Sequence, residues 1–91
     1  MKPSFDWDQW NSQKSFLKHG ITNREAESAY MDPNLRINYD LKHSVEEDRY
    51  ICIGKSEFNR LLMLVVTMRS SKVRIISSRL ANKKERDLYG N

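Results

Sequence analysis

The chain has 91 residues, of which 38% are hydrophobic and 31% charged, a balance that argues against a disordered or fibrous protein and favours one soluble globular domain over residues 1–91. The net charge of +4 is unevenly distributed, because residues 1–48 carry a net −3 and residues 49–91 a net +7. This asymmetry favours a polyanionic partner such as a nucleic acid, and a merely solvated basic face is the alternative.

Membrane insertion and export are not expected. No apolar run approaches the roughly 20 residues that cross a bilayer, and the N-terminal residues lack the apolar core of a signal peptide. The single cysteine, Cys52, lies in a strand-like apolar run and is expected to be a small buried side chain. Together these features predict a cytoplasmic protein.

A first helix is predicted to begin after Asp8, a favourable N-cap residue, and to end at Gly20, whose conformational freedom suits a helix C-terminus. Its apolar stripe is formed by Trp10, Gln13, Phe16 and Leu17. We expect Trp7 and Trp10 to be core anchors rather than platforms on which nucleobases stack.

A second helix is predicted from a capping box, in which Thr22 and Glu25 would satisfy each other's backbone amides. The pair Asp32-Pro33 ends this helix, because proline disfavours helical backbone in the residue before it. Its apolar face consists of Ala26, Ala29 and Tyr30.

From residue 35 onward the period of the sequence changes to that of strands. Alternation predicts two half-buried strands, whereas the run 61–66, which is apolar at every position, predicts a strand covered on both faces. The run 73–76 resembles it over a shorter length. Short turn-rich gaps at 54–59 and 70–71 favour antiparallel hairpins. The alternating apolar residues are Leu35, Ile37 and Tyr39 in the first strand and Ile51 and Ile53 in the second.

A last helix is predicted after Asn82, because Asn82 and Glu85 repeat the capping pattern. The order of elements is therefore two helices, four strands and one helix. This order predicts an α+β domain with two N-terminal helices, a four-stranded antiparallel sheet and a C-terminal helix.

Several kinds of site are disfavoured by the sequence. One cysteine and two histidines 24 positions apart give no metal-ligand spacing, so no metal ion is expected. The glycines at positions 20, 54 and 90 are isolated, so no phosphate-binding loop for a nucleotide is recognised. No Ser-His-Asp arrangement stands out, and we expect no cofactor.

Cationic side chains at strand ends are the strongest candidates for chemistry. Arg49 begins one strand, Arg69 ends the central one, Arg74 lies within the next and Arg79 follows it. The hairpin between the last two strands would bring Arg69 next to Lys72. Arginine suits RNA cleavage, because its planar fork binds two phosphate oxygens and the reaction needs cationic stabilisation of a phosphorane together with proton transfer.

Each candidate also has a purely structural interpretation. Arg79 could pair with Glu85 instead of a phosphate, and His19 could complement the dipole of the first helix. His43 lies in a polar loop, where it could transfer protons or be merely solvated, and Glu47 could be a solvated loop charge.

Short motifs along the chain, taken together, resemble those of one known family. The first half of the chain contains Phe5-x-Trp7-Asp8, Lys18-His19-Gly20-Ile21, Asp32-Pro33, His43-Ser44 and Glu47-Asp48-Arg49-Tyr50. The second half contains Ile53-Gly54, Arg74-Ile75-Ile76-Ser77-x-Arg79-x-Ala81, Lys84-Glu85-Arg86 and Tyr89. In order and spacing, these motifs resemble the BrnT family of type II toxin-antitoxin toxins over almost the whole chain.

The resemblance implies a fold, an activity and a partner. Members of the family are small bacterial ribonucleases with a RelE-like fold that cut RNA and arrest translation. Each is neutralised by a ribbon-helix-helix antitoxin (BrnA-like), and their complex, commonly two copies of each protein, binds promoter DNA through the antitoxin. RelE-like cleavage requires no metal ion, because a 2′-hydroxyl attacks the adjacent phosphate.

The resemblance also implies roles for individual residues. Arg69 and Arg79 would contact the phosphate and stabilise the transition state, while His43 and Glu47 would transfer protons or position the substrate. The expected RNA-binding residues are Arg49, Arg74, Lys83, Lys84 and Tyr89.

One position departs from the family pattern. Many members have an acidic residue just before the arginine numbered 69 here, whereas this chain has Met68. If that carboxylate were the general base, Glu47 or Glu57 would have to replace it. The alternative to an active ribonuclease is a catalytically weak module that binds nucleic acid or an antitoxin through the basic half of the chain.

Overall fold

The computed structural model describes residues 3–12 and 14–90 of the chain. In that part of the chain the helices are α1 (Lys14–His19), α2 (Asn23–Tyr30) and α3 (Lys83–Tyr89), and the strands are β1 (Arg36–Tyr39), β2 (Tyr50–Lys55), β3 (Leu61–Arg69) and β4 (Lys72–Leu80). The strands form one antiparallel sheet in the order β1-β2-β3-β4. The predicted α+β architecture is therefore confirmed. None of the described helices is long and apolar enough to cross a membrane.

The hydrophobic core lies between α2 and one face of the sheet. Ala26 and Ala29 of α2 are buried against alternate side chains of the two central strands. Gly54 allows this close approach, because a Cβ at that position would collide with the carbonyl oxygen of Ala29. The sheet side of this core consists of Cys52, Leu62, Leu64, Val66, Val73 and Ile75.

Glu25 ties α2 to the connection between β2 and β3. The hydroxyl of Thr22 accepts a hydrogen bond from the Glu25 backbone at 3.0 Å, as predicted, but the Glu25 carboxylate does not complete the capping box. Instead it accepts hydrogen bonds from Ser56 Oγ and Arg60 Nε, both at 2.8 Å, and from a terminal nitrogen of Arg60. Glu25 is only 2% exposed, so these hydrogen bonds replace the hydration that its carboxylate loses on folding.

The prediction for the first helix was wrong in two respects. The helix begins at Lys14 rather than after Asp8, whose carboxylate instead accepts the backbone N–H of Trp10 at 2.8 Å in a preceding turn. Its apolar stripe is not in the core, because Trp10 is 75% exposed, Leu17 79% exposed and Phe16 also exposed. Gln13, the fourth residue of that stripe, lies outside the described residues.

Other expectations about the N-terminal region agree with the structure. Gly20 has a φ of 70° and ends α1, with its N–H donated to the carbonyl oxygen of Phe16 at 2.8 Å. Trp7, unlike Trp10, packs against the core and donates its Nε1–H to Glu27 at 2.6 Å. The N-terminal half of the chain thus contributes one tryptophan, not two, to the core region.

The outer strands differ from their predictions in length and burial. β4 extends to Leu80, so Arg79 lies inside the strand rather than beyond it. In β1, Ile37 is 56% exposed and Tyr39 is also exposed, because this edge strand lies outside the core beneath α2. The 70–71 hairpin has φ values of 50° and 65° at Ser70 and Ser71, which is the left-handed backbone of a two-residue turn.

The outer edge of β4 is covered by the N-terminal segment. Val73 exchanges backbone hydrogen bonds with Ser4 and Asp6, each at 2.8 Å. Further along the same edge, Asn11 donates to the Ile75 carbonyl at 3.0 Å. Backbone groups that would otherwise be unpaired at a sheet edge are satisfied in this way.

We predict that Glu25→Gln lowers the free energy of unfolding at pH 7 by about 2 kcal/mol, because Arg60 loses its charged partner. Urea denaturation followed by circular dichroism measures the change. Glu57→Gln is a matched control, since the carboxylate of Glu57 pairs with the exposed Arg24, and its expected effect is below about 0.5 kcal/mol.

The difference in unfolding free energy between wild type and Glu25→Gln should depend on pH. Hydrogen bonds from Arg60 hold the pKa of Glu25 below its ordinary value of 4.5. The ionised carboxylate therefore stabilises the fold fully above the pKa of the unfolded chain, and this contribution is lost as the pH falls through the folded-state value. The difference between wild type and Glu25→Gln should shrink below about pH 4.5. A difference of the same size at pH 7 and pH 3 would contradict the assignment.

We predict that Cys52 is unreactive in the native protein. Burial raises the pKa of its thiol to about 11, so the nucleophilic thiolate is scarce at pH 8 and the sulfur is shielded from solvent. Iodoacetamide at pH 8 should leave the folded protein unmodified while alkylating it fully in urea, as measured by mass spectrometry. Alkylation at equal rates in both states would disprove this burial.

Candidate functional site

The sheet has a second face, opposite the one that packs on α2, and its side chains are largely polar or cationic. Its members follow from the pairing of β3 with β4 and from the alternation of side chains along a strand. The register shifts between Val65 and Val66, which pair with Ser77 and Ile75, so the alternation in β4 is interrupted at Ile76. We call this surface the basic face. Its residues on the two strands are Met63, Val65, Thr67 and Arg69 of β3 and Lys72, Arg74, Ser77 and Arg79 of β4.

At one end of the basic face, the structure brings together three residues predicted from sequence. The Glu47 carboxylate accepts two hydrogen bonds from Arg69, from Nε and Nη2, each at 3.4 Å. Arg49 Nη2 lies 3.7 Å from the same carboxylate. The loop is fixed to the sheet because Thr67 Oγ1 donates to the Asp48 carbonyl at 2.7 Å. We call this group the Glu47 cluster.

His43, also predicted as a site residue, lies in a short 3-10 turn (Leu41–His43) of the same loop. Its Nδ1 is 2.8 Å from Asp40 Oδ2, and its side chain is exposed. Ser44 Oγ accepts the N–H of Arg49 at 2.9 Å and so links the turn to the start of β2. The loop therefore holds His43 through Asp40.

At the other end of the basic face, Arg79 makes a two-pronged ion pair with Glu85. Its Nη1 and Nη2 atoms donate to the two carboxylate oxygens, each at 2.8 Å, and Nη1 also donates to the Leu80 carbonyl. Glu85 belongs to the first turn of α3, where it forms the predicted capping box with Asn82. The hydrogen bonds that Arg79 donates to Glu85 raise the pKa of Arg79, so the guanidinium stays charged. The pairing that the sequence left open for Arg79 is thus present.

A cavity of about 240 Å³ adjoins Arg79. Its walls come from both ends of the sequence, because α1 lies against β4 with Ser15 Oγ accepting the Ser78 N–H at 2.8 Å. Sequence reasoning did not place His19 at a site, although the Lys18-His19-Gly20 motif was a signal for it. The lining residues are Ser15, Lys18, His19, Met63, Ser77, Ser78 and Arg79.

Arg74 differs from its expected role in RNA binding. Its side chain is only 8% exposed, and its Nη1 lies 3.4 Å from Asp6 and 3.0 Å from Asp8. The hydrogen bond that Arg74 donates to Asp8 raises the pKa of Arg74, which is therefore charged and paired inside the fold. Its contacts fasten the N-terminal segment to β4, and its guanidinium is not presented to a ligand.

The three predicted RNA-binding residues of α3 have different environments. Lys83 and Lys84 are exposed in the first turn, directly after the strand that carries Arg79. Tyr89, at the other end of the helix, donates its hydroxyl proton to Asp32. Tyr89 also lines a separate cavity of about 710 Å³ with Arg36 and Lys55.

Met68, the departure from the family pattern, points to the opposite face of the sheet from Arg69. An acidic residue at this position would therefore not lie on the basic face. Met68 pairs with Val73, a core residue, and is adjacent in β3 to Arg69, so its side chain points away from the basic face. Glu57, a possible substitute, lies in the turn after β2 and pairs with Arg24 at 3.3 Å. Of the two glutamates considered, Glu47 is the one that lies beside Arg69.

The two predicted catalytic arginines are far apart. Arg79 lies opposite Met63, which is six residues before Arg69 in β3. A strand rises about 3.3 Å per residue, so their Cα atoms are about 20 Å apart. Each guanidinium is held by a different carboxylate, and one phosphate group cannot engage both.

The comparison with protein families adds to this geometry. The family model described as the ribonuclease toxin BrnT of type II toxin-antitoxin systems matches residues 7–85, a span that includes the Glu47 cluster and the cavity beside Arg79. No individual curated protein matches the chain closely enough to add to this assignment. The match extends over well over half of the sequence, and the chain belongs to the BrnT family of ribonuclease toxins of type II toxin-antitoxin systems.

Proposed function

We propose that this protein is an endoribonuclease of RelE-like fold that cleaves RNA without a metal ion and thereby arrests translation and growth. Membership of the family gives a ribonuclease toxin with an RNA substrate and an antitoxin partner. The finer proposal rests on one observation, the Arg79 guanidinium held by Glu85 at the wall of a cavity on the basic face.

The chemistry assigned to Arg79 is stabilisation of negative charge. Attack of a ribose 2′-oxygen on the neighbouring phosphorus places additional negative charge on the phosphate oxygens, which hydrogen-bond donors of fixed geometry stabilise. Bonds to Glu85 and Leu80 use three of the five N–H groups of an arginine. The other two, at Nε and Nη2, make no hydrogen bond to any residue in the described ranges and suit a phosphate.

Glu85 positions this cation. Two parallel hydrogen bonds fix the plane of the guanidinium, and the capping box fixes Glu85 at the start of α3. A side chain that is fixed before the substrate arrives needs little rearrangement in the transition state. The ion pair therefore supports catalysis by Arg79 and does not compete with it.

We assign the Glu47 cluster to a flanking part of the RNA. Because Arg69 is about 20 Å from Arg79 along the sheet, Arg69 and Arg49 would contact phosphates further along the same strand. Glu47 would orient these two arginines, and His43 would lie beside the RNA at the edge of this region. This assignment gives Arg69, Glu47 and His43 roles in positioning rather than at the reacting phosphate.

The RNA would continue past α3 at the other end. Lys83 and Lys84 follow Arg79 closely in the chain and are exposed, as contacts to a phosphate backbone must be. Tyr89 has its hydroxyl engaged by Asp32, so its proposed contact would be through the ring. Arg74 would not contact the RNA, because its side chain is buried.

We further propose a ribbon-helix-helix antitoxin as the partner, in a complex of two toxins and two antitoxins that binds promoter DNA through the antitoxin. This part rests on the family resemblance and on the charge of the basic face, which an acidic segment of the antitoxin would cover. Inhibition would then result from occlusion of the RNA site. A toxin that acts on translation would work in the cytoplasm.

We predict that Arg79→Gln lowers the rate of RNA cleavage by roughly 100-fold, because a neutral amide cannot stabilise the phosphorane as a guanidinium does. The assay incubates purified protein with a mixed RNA in EDTA, and mass spectrometry should find 2′,3′-cyclic phosphate ends. Arg24→Gln, which removes an equally charged, exposed arginine of α2 that does not line the cavity, should leave the rate unchanged.

Two results would count against this function. Intact RNA at micromolar wild-type protein, with RNA binding retained, would show a nucleic-acid-binding module instead of an enzyme. Equal cleavage rates for Arg79→Gln and wild type would show that Arg79 does not stabilise the transition state. Circular dichroism of both variants confirms that the comparison is made between folded proteins.

A further inference from the structure

RNA cleavage of the proposed kind needs a group that accepts a proton, and neither cation beside the cavity provides one. The 2′-hydroxyl must lose its proton as its oxygen bonds to phosphorus. Arg79 and Lys18 line the cavity, but a protonated guanidinium or ammonium group can only donate. The structure contains one other titratable side chain among the lining residues, His19.

The backbone fixes His19 at this cavity. His19 is four residues after Ser15 in α1, so both residues lie on the same side of the helix. Ser15 faces β4, since its Oγ accepts the Ser78 N–H at 2.8 Å. Gly20 then ends the helix in left-handed backbone, which holds the last turn in place. His19 thus lines the cavity together with Ser78 and Arg79 of β4 and remains accessible to a ligand.

Other candidate bases are engaged elsewhere in the described part of the chain. Both oxygens of Glu85 accept hydrogen bonds from Arg79, and one also accepts from the Asn82 backbone. Glu47 is held by Arg69 at the far end of the basic face. His43 is bonded to Asp40 in the loop. Histidine is also the side chain whose ordinary titration range lies nearest to neutral pH.

We propose that His19 is a catalytic residue, the general base that takes the proton of the attacking 2′-hydroxyl, with Lys18 and Arg79 holding the phosphate. This inference rests on the ribonuclease function proposed above. As the 2′-oxygen forms its bond to phosphorus, the proton passes to the imidazole, and the bond from phosphorus to the 5′-oxygen breaks. The 5′-oxygen takes a proton from water, and the imidazolium returns its proton to solvent. The products are a 2′,3′-cyclic phosphate and a 5′-hydroxyl.

The second histidine of the chain offers a matched contrast. His19→Gln should lower kcat/KM by roughly 100-fold, because general-base catalysis contributes about that much. A base must be unprotonated to act, so wild-type activity should fall towards acidic pH. The charged groups that line the same cavity are Lys18 and Arg79, and Glu85 is paired with Arg79. His19→Gln should lose this acidic limb of the pH profile, whereas His43→Gln should keep it.

Chemical rescue distinguishes a catalytic role from a structural one. In His19→Ala, added imidazole should restore part of the activity, since it can take the place of the missing side chain. Arg24→Ala, which changes a residue that does not line the cavity, should show neither loss nor rescue. Circular dichroism checks that each variant is folded.

The outcomes separate this inference from the function on which it rests. If wild-type protein leaves RNA intact, the proposed function fails and the role of His19 fails with it. If wild type cleaves RNA but His19→Gln retains more than a tenth of the activity and keeps the acidic limb, only the role of His19 is wrong. Absence of imidazole rescue in a folded His19→Ala protein would likewise overturn it.

Discussion

The alternation of side chains along β3 is the constraint on which both the core and the site depend. β3 lies between two hydrogen-bonded neighbours, so successive side chains must point to opposite faces. Leu62, Leu64 and Val66 pack beneath α2, and this packing directs Met63 and Arg69 to the opposite face. Burial of the apolar set therefore determines where the cations emerge. A slip of one residue in the pairing would exchange the two sets and destroy core and site together.

Much of the fold could be predicted because its signals are local. The Asn82 capping box, the left-handed Gly20 and the antiparallel hairpins each depend on a few adjacent residues. The predictions were wrong where contacts between residues far apart in the sequence determine the conformation. Glu25 has the spacing of a capping residue, yet its carboxylate is attracted to Arg60, 35 residues away in the sequence. Trp10 has helical spacing in an apolar stripe, but no part of the core lies close enough to bury it.

The candidate site likewise combines features that local sequence predicts with features that depend on distant contacts. Residue type and strand position predicted Arg69, Arg79 and Glu47, and the structure explains how β3 and β4 present them. Sequence could not show that the arginines lie at opposite ends of one surface, because that distance follows from the register. The cavity that His19 lines with Arg79 could not be predicted, because α1 and β4 are remote in the chain and meet only after folding. The pairing of Arg74 with Asp6 and Asp8 could not be predicted either, because these partners are equally remote in the chain.

The carboxylates bound to Arg69 and Arg79 make the basic face less cationic than its arginines alone suggest. Glu47 and Glu85 act as built-in counterions, so fewer mobile anions gather at these arginines in the free protein. The salt dependence of nucleic-acid binding reflects the number of ions released on contact with phosphate. Affinity for RNA should accordingly depend less steeply on ionic strength than a count of cationic side chains implies. Discrimination between RNA molecules would then depend more on how well a bent or splayed RNA strand fits the fixed guanidinium groups than on general attraction between opposite charges.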